Sequence, residues 1–183
     1  MLFTEFLGKK VLIMGDVGSG KTRFTRHLLM EALEKGYGPQ ITVIDMAPKQ
    51  VSLHGLLVGG KILKPDEFKV RYLDAKDIKT PRLSARSSAE LLDLAEYNRK
   101  IIERLLKTFI RSPTEILFIN DASIYLQRGS FDLLWLALEK ANTAIVNGYY
   151  GEKLRNDLGT GLSKRERKLM ERLAARVDVT FLL

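Results

Sequence analysis

The chain contains no cysteine. That excludes disulfides, thiol nucleophiles and thiolate-ligated metals, and it leaves the redox compartment open. Histidine is nearly as scarce. His27 and His54 are the only two, so a multi-histidine metal site within one chain is also excluded, and both are expected to be ordinary surface or helix residues. No hydrophobic run approaches the length that crosses a membrane. The opening MLFTEFLGKKVLIMG interrupts its apolar residues with Glu5 and Lys9-Lys10, which does not read as a signal peptide. A soluble cytoplasmic protein is the expectation. No internal repeat or low-complexity linker divides the 183 residues, so one domain over 1–183 is expected. What is present is a core-forming composition, 45% hydrophobic, and a basic balance of 30 Lys and Arg against 22 Asp and Glu. The net charge of +8 suits an anionic ligand, a solvated surface or weak nucleic-acid attraction.

Gly15, Asp16, Val17, Gly18, Ser19, Gly20, Lys21 and Thr22 spell GDVGSGKT. This fits G-x-x-x-x-G-K-[ST], the phosphate-binding P-loop, at every defined position. The apolar run Lys10 to Met14 before it reads as a buried strand, and Lys21 to Lys35 after it as a helix, the setting the motif requires. Gly15, Gly18 and Gly20 are expected to free the backbone so that successive N–H groups form an anion nest. The helix dipole points at the same place. Lys21 adds a charge near the β and γ phosphates, and the Thr22 hydroxyl is a Mg²⁺ ligand. The alternative is a glycine-rich turn that merely begins a helix. The motif implies a nucleoside triphosphate site, not a particular reaction.

Strands are expected at Ile41 to Met46 and Lys69 to Leu73, with a small hairpin on a Gly59-Gly60 turn at Leu56 to Leu63 and a loop at Lys79 to Arg82. Ser87-Ser88-Ala89-Glu90 matches a capping box before a helix to about Ile110. Leu91, Leu94, Ala95, Ile101, Ile102, Leu105, Leu106 and Phe109 form its apolar stripe. Then follow a strand at Glu115 to Asp121, a helix at Phe131 to Asn142, a strand at Thr143 to Asn147, a basic helix at Ser163 to Arg176 and a closing strand at Asp178 to Leu183. Strands separated by helical patterns argue for an α/β, three-layer αβα sandwich with a mostly parallel sheet.

In Ile116-Leu117-Phe118-Ile119-Asn120-Asp121 a buried strand ends in an acid. Asp121 is therefore expected beside Thr22 as the second Mg²⁺ ligand, the Walker B acid; the alternative is a strand-end acid capping the next turn. Asn147 at the next strand end reads either as a group reaching the γ-phosphate or as a turn residue before Gly148. Asp45 reads either as an acid near an acceptor or the metal, or as a cap before Pro48. Arg82, Arg86, Lys153 and Arg155 are candidate phosphate cations or solvated charges. Glu115 stands at the wrong end of its strand to activate water, and Asp16 is a poor replacement for a base.

On GDVGSGKT and ILFIND, the chain resembles the P-loop NTPase superfamily, and its order of elements looks like the RecA-like, additional-strand branch. That resemblance implies ATP and Mg²⁺, with Lys21, Asp121 and a sensor-like Asn147 at the chemistry. Many additional-strand ATPases carry a glutamate after the Walker B acid; here it is Ala122. Hydrolysis is thus expected to be slow or partner-stimulated, and a glutamate introduced at 122 to raise it. FINDASIYLQRGSFDLLWLALEKA is also similar to the ATP:corrinoid adenosyltransferases, with Asp121 and Gly129 in matching places and Ala122 and Tyr149 departing. An ATP-dependent transferase, either a nucleotide or small-molecule kinase or an adenosyltransferase, with an acceptor pocket from Asp45 and Val51 to Arg86, is the alternative. A non-catalytic nucleotide switch or nucleic-acid-associated module, motivated by the basic helix, is another. No Asn-Lys-x-Asp guanine motif occurs, which favours ATP over GTP. A second substrate or protein partner is left open.

Overall fold

The computed structural model describes residues 2–53, 56–63 and 70–183. Strand β1 is Lys10–Gly15 and helix α1 is Lys21–Glu34. Strand β2 is Ile41–Asp45, β3 is Val51–Leu53, β4 is Leu56–Val58 and β5 is Arg71–Asp74. A short helix α2, Pro81–Ser84, precedes the long helix α3, Ser88–Arg111. Strand β6 (Ile116–Asn120), short helix α4 (Ala122–Leu126), helix α5 (Phe131–Lys140), strand β7 (Thr143–Tyr149), helix α6 (Leu162–Ala174) and strand β8 (Val179–Leu182) complete the chain.

Six strands form one sheet in the order β5-β2-β6-β7-β1-β8, and every pairing is parallel. The apolar runs make this possible. β2 and β6 are buried along their whole length, as strands covered on both faces must be. Their side chains alternate between two cores. Leu12, Met14, Leu117 and Ile119 pack on one face with α3 to α6, while Val11, Ile13, Ile116 and Phe118 pack on the other with α1 and the 3-10 turn at Phe3–Phe6. Each fully buried Leu, Ile or Phe contributes roughly 1.5–3 kcal/mol. The outcome is the three-layer αβα sandwich expected from the sequence.

Local chemistry sets the helix ends. Ser87 Oγ accepts from Glu90 N–H at 3.2 Å, but the Glu90 carboxylate accepts from Arg86 N–H at 2.7 Å rather than from that of Ser87. Asn98 interrupts the apolar stripe of α3. It is buried, and its amide accepts from Lys79 N–H and donates to Lys79 O, at 2.8 and 3.0 Å.

Three expectations are corrected. The small hairpin is β3 against β4, with Val51 opposite Val58. Gly59-Gly60 follows it, because Gly60 N–H returns to Pro48 O at 3.0 Å and a Cβ on Gly59 would sit 2.8 Å from the Pro48 ring. The segment Lys79 to Arg82 is not all loop: Pro81 begins α2 at the first helical position, where its missing N–H costs nothing. Asn147-Gly148 is not a turn but lies inside β7. The expected strand start at Lys69 and the residues Pro65 and His54 lie outside the described residues. His27 is exposed on α1. Among the described residues no helix is long and apolar enough to cross a membrane.

Candidate functional site

The C-terminal ends of β1, β2, β6 and β7 share one edge of the sheet, where open α/β sheets hold ligands. A cleft of about 310 Å³ opens there. The glycine-rich loop and Lys21, Thr22 and Arg23 line one side, and Pro48, Leu57, Val58 and Thr80 to Leu83 line another. Asn120, Asp121, Ser123, Gln127 and Asn147 also border it.

Gly18 and Gly20 have φ of +78° and +94°, a region that side chains disfavour. Gly15 is glycine for a different reason, which corrects the reading that all three free the backbone. A Cβ there would lie 2.3 Å from the Leu183 carbonyl oxygen and 2.8 Å from Ser19 Oγ. Helix α1 begins at Gly20 with no side-chain cap and no acid in its first turn, whereas Ser87 and Ser130 cap α3 and α5. Its leading N–H groups and positive dipole end are left to the cleft.

Lys21 Nζ donates to Asp16 O at 2.6 Å. Burial pushes its ammonium below the usual lysine range, opposed by the Asp121 and Asp16 carboxylates and reinforced by the Lys153 charge. Asp16 Oδ1 accepts from Val17 N–H at 2.6 Å and Oδ2 from Glu152 N–H at 3.0 Å.

Asp121 has a left-handed backbone, φ +63° and ψ +58°, which Asp tolerates better than most residues. Its N–H donates to Asn147 Oδ1 at 2.9 Å, and its carboxylate accepts from the Ser123 hydroxyl at 2.5 Å. Thr22 and Asp121 offer a hydroxyl and a carboxylate, hard oxygen donors that suit Mg²⁺ in company with phosphate oxygens and water. Among the described residues no group of three or more His, Asp or Glu side chains could hold a metal by itself. The donor set therefore fits an ion carried partly by a ligand's own oxygens.

A buried polar chain underlies the cleft. Asn147 Nδ2 donates to Thr25 Oγ1 and Asn120 Oδ1 at 2.9 and 3.0 Å. Asn120 Nδ2 donates to Asp45 Oδ1 and Gly60 O at 2.9 and 3.0 Å. Asp45 also accepts from Ala47 N–H, Ile62 N–H and Tyr72 OH at 3.2, 2.7 and 2.6 Å. Burial raises the Asp45 carboxyl above its ordinary value, against the Tyr72 hydrogen bond and the Lys61 charge. Asp45 is fully buried and does not border the cleft. Asn147 does border it, but both of its amide hydrogens are spent within the chain.

Ala122 has no exposed surface and belongs to the core beneath α3 to α6. A side chain at 122 therefore enters the core and not the cleft, which overturns the expectation that a glutamate there would activate water. Asp121 is the only carboxylate among the described residues that lines the cleft. Glu115 is exposed ahead of β6, away from this edge. Gly129 is explained locally, since a Cβ would meet the Tyr125 ring at 2.3 Å.

The four candidate cations separate. Arg82 lies along Glu166, with Nη1 to Oε1 at 2.8 Å and Nη2 to Oε2 at 3.1 Å. Arg155 pairs with Glu152. Arg86 is exposed outside the cleft. Lys153 Nζ reaches Val17 O at 3.3 Å. Glu166, on the helix read from the sequence as basic, is buried. It also accepts from Gln127 Nε2 at 2.8 Å, and burial pushes its carboxyl up to about 7 against the pull of Arg82 and Gln127. The Gln127 Oε1 atom has no hydrogen-bond partner among the described residues. The arginines of α6 and of the residues after it are largely engaged by their own surface: Arg165 on Gly129 O, Arg167 on Glu152, Arg172 on the Phe131 ring and Arg176 on the Trp135 ring.

No protein-family model matches the chain, and a search of curated proteins found no match.

Proposed function

We propose that the protein binds a nucleoside triphosphate, ATP, with Mg²⁺ in the loop Gly15 to Thr22, as a P-loop NTPase of the additional-strand type. The observation that carries this is the uncapped start of α1 at the glycine-rich loop, with Lys21, Thr22 and Asp121 bordering one cleft. Thr22 and Asp121 would hold the metal, and Lys21 the β and γ phosphates. The sheet order supports the branch. Strand β7 lies between β1, which feeds the loop, and β6, which carries Asp121.

Hydrolysis by the isolated protein is slow in this reading. Asp121 would be committed to the metal, and the side chain at 122 is in the core. A second reading, transfer to an acceptor, draws support from the cleft itself. Its far side is built from apolar residues, Pro48, Leu57, Val58, Pro81 and Leu83, and among the described residues Gln127 Oε1 at its border has no donor. A small molecule bearing an O–H or N–H group suits that environment. The α6 surface gives little support to a nucleic-acid role, since its arginines are engaged internally.

The test is calorimetry of ATP binding to the wild-type protein and to folded Lys21→Ala. Loss of a charge-assisted phosphate contact costs on the order of 1.5–3 kcal/mol, or roughly 10–150-fold in affinity. Unchanged affinity rejects the reading. Product analysis then separates the classes: slow ADP and phosphate release alone denotes an NTPase, whereas other products denote transfer.

A further inference from the structure

We propose that Lys153 is a second phosphate ligand, brought to the loop by a turn latched onto Asp16. The proposal rests on the reading of Gly15 to Thr22 as a polyphosphate site and adds a residue from outside the motif.

An acid inside a phosphate loop poses a problem, because its charge repels the ligand. The Asp16 carboxylate is spent elsewhere, on Val17 N–H and on Glu152 N–H. The turn after β7 is thereby tied to the loop. Tyr150 N–H also donates to Gly15 O at 2.8 Å, which continues the pairing of β7 with β1. Gly151 packs so closely that a Cβ would lie 2.3 Å from Asp16 Cγ. Glu152 is held from its far side by Arg155 and Arg167.

This arrangement sets Lys153 Nζ on Val17 O, while Lys21 Nζ sits on Asp16 O. Two ammonium groups thus rest on consecutive carbonyls of one loop. Among the described residues neither ammonium lies within 4.0 Å of a carboxylate, and Lys21 feels only the more distant Asp121 and Asp16 charges. Carbonyl oxygens leave most of an ammonium's charge unmatched, and a phosphoryl group matches it. Lys153 is exposed, so removing it should leave the fold unchanged. The ligand class is a nucleoside di- or triphosphate, with adjacent phosphoryl groups for two cations.

The experiment is calorimetry with ATP on wild type, Lys153→Met, Lys153→Arg, Gly151→Ala and the Gly151→Ala/Lys153→Met pair, each checked for cooperative melting above the assay temperature. Lys153→Met should bind ATP about tenfold more weakly, and Lys153→Arg should restore most of the loss. Gly151→Ala should weaken binding in the wild-type background and add little to Lys153→Met. Equal ATP affinity in wild type and Lys153→Met overturns the proposal while the loop reading stands. Undetectable ATP binding by wild type overturns both. Additive losses in the pair refute delivery by the turn.

Discussion

Replacing Asn147 by alanine separates two roles that one position can play. Asn147 is 2% exposed. Its side chain accepts from Asp121 N–H and donates to Thr25 Oγ1 and Asn120 Oδ1. Truncation deletes all three bonds in a buried setting. At roughly 1 kcal/mol net for each, the expected loss is about 3 kcal/mol of folding stability. With a urea slope of about 2 kcal/mol per molar, the midpoint should fall by about 1.5 M. The Asp121 backbone loses the acceptor that fixes its left-handed turn, so Mg²⁺-dependent ATP affinity should fall along with stability. Urea titration by circular dichroism, paired with calorimetry, reads both quantities. A stability loss below about 1 kcal/mol together with a collapse of ATP turnover would refute the reasoning, because Asn147 would then be acting on the ligand.

Asp121→Asn should reduce the benefit of Mg²⁺ to ATP binding more than it reduces binding of metal-free ATP, since the loop N–H groups remain; identical Mg²⁺ dependence in calorimetry excludes Asp121 from the metal. Ala122→Glu should bring no gain in phosphate release and should lower stability by several kcal/mol, because it puts an unpaired carboxyl into the core; a folded variant with faster release contradicts the assigned position. Glu166 has a folded-state carboxyl raised to about 7 from 4.5, so its contribution to stability is fully present below about pH 4.5 and is lost as pH rises through about 7. The size is about 3 kcal/mol at most. Urea midpoints from pH 5 to 8 should show this decline in wild type and a flatter profile in Glu166→Gln; parallel profiles exclude Glu166 as the source.

The loop was legible because its demands are local. Two positive-φ glycines, a lysine and a threonine lie within a few residues, between a strand and a helix. The position of Asp121 at the cleft was legible for a similar reason, since it is the first acid after a buried apolar run. Gly15 showed its reason only in three dimensions, since the chain that crowds it is Leu183. The burial of Glu166 was not anticipated, because its partner Arg82 is 84 residues away in sequence. A signal was nevertheless available. Glu166 falls in register with Leu162, Met170 and Leu173, the buried stripe of α6, and an acid on an apolar stripe requires a partner. Asn98 sits in the α3 stripe in the same way. The short helices α2 and α4 span too few residues to show a period. The hairpin turn was assigned to the diglycine because Gly-Gly is a common hairpin signal, while the close approach to Pro48 that these glycines permit is non-local.

The polar chain beneath the cleft has a mechanical consequence. Thr25 belongs to the helix that starts at Lys21, and its hydroxyl donates to Lys21 O. From Thr25 the bonds run through Asn147 and Asn120 to Asp45 and Tyr72, crossing β7, β6, β2 and β5. Sliding any one of these strands along its neighbour breaks a link, so the start of α1 and the floor of the cleft move as one body. Asn120 also grips Gly60 O, which anchors the root of the hairpin to that body. In this fold the row of amides ties four neighbouring strands to the helix that follows the glycine-rich loop.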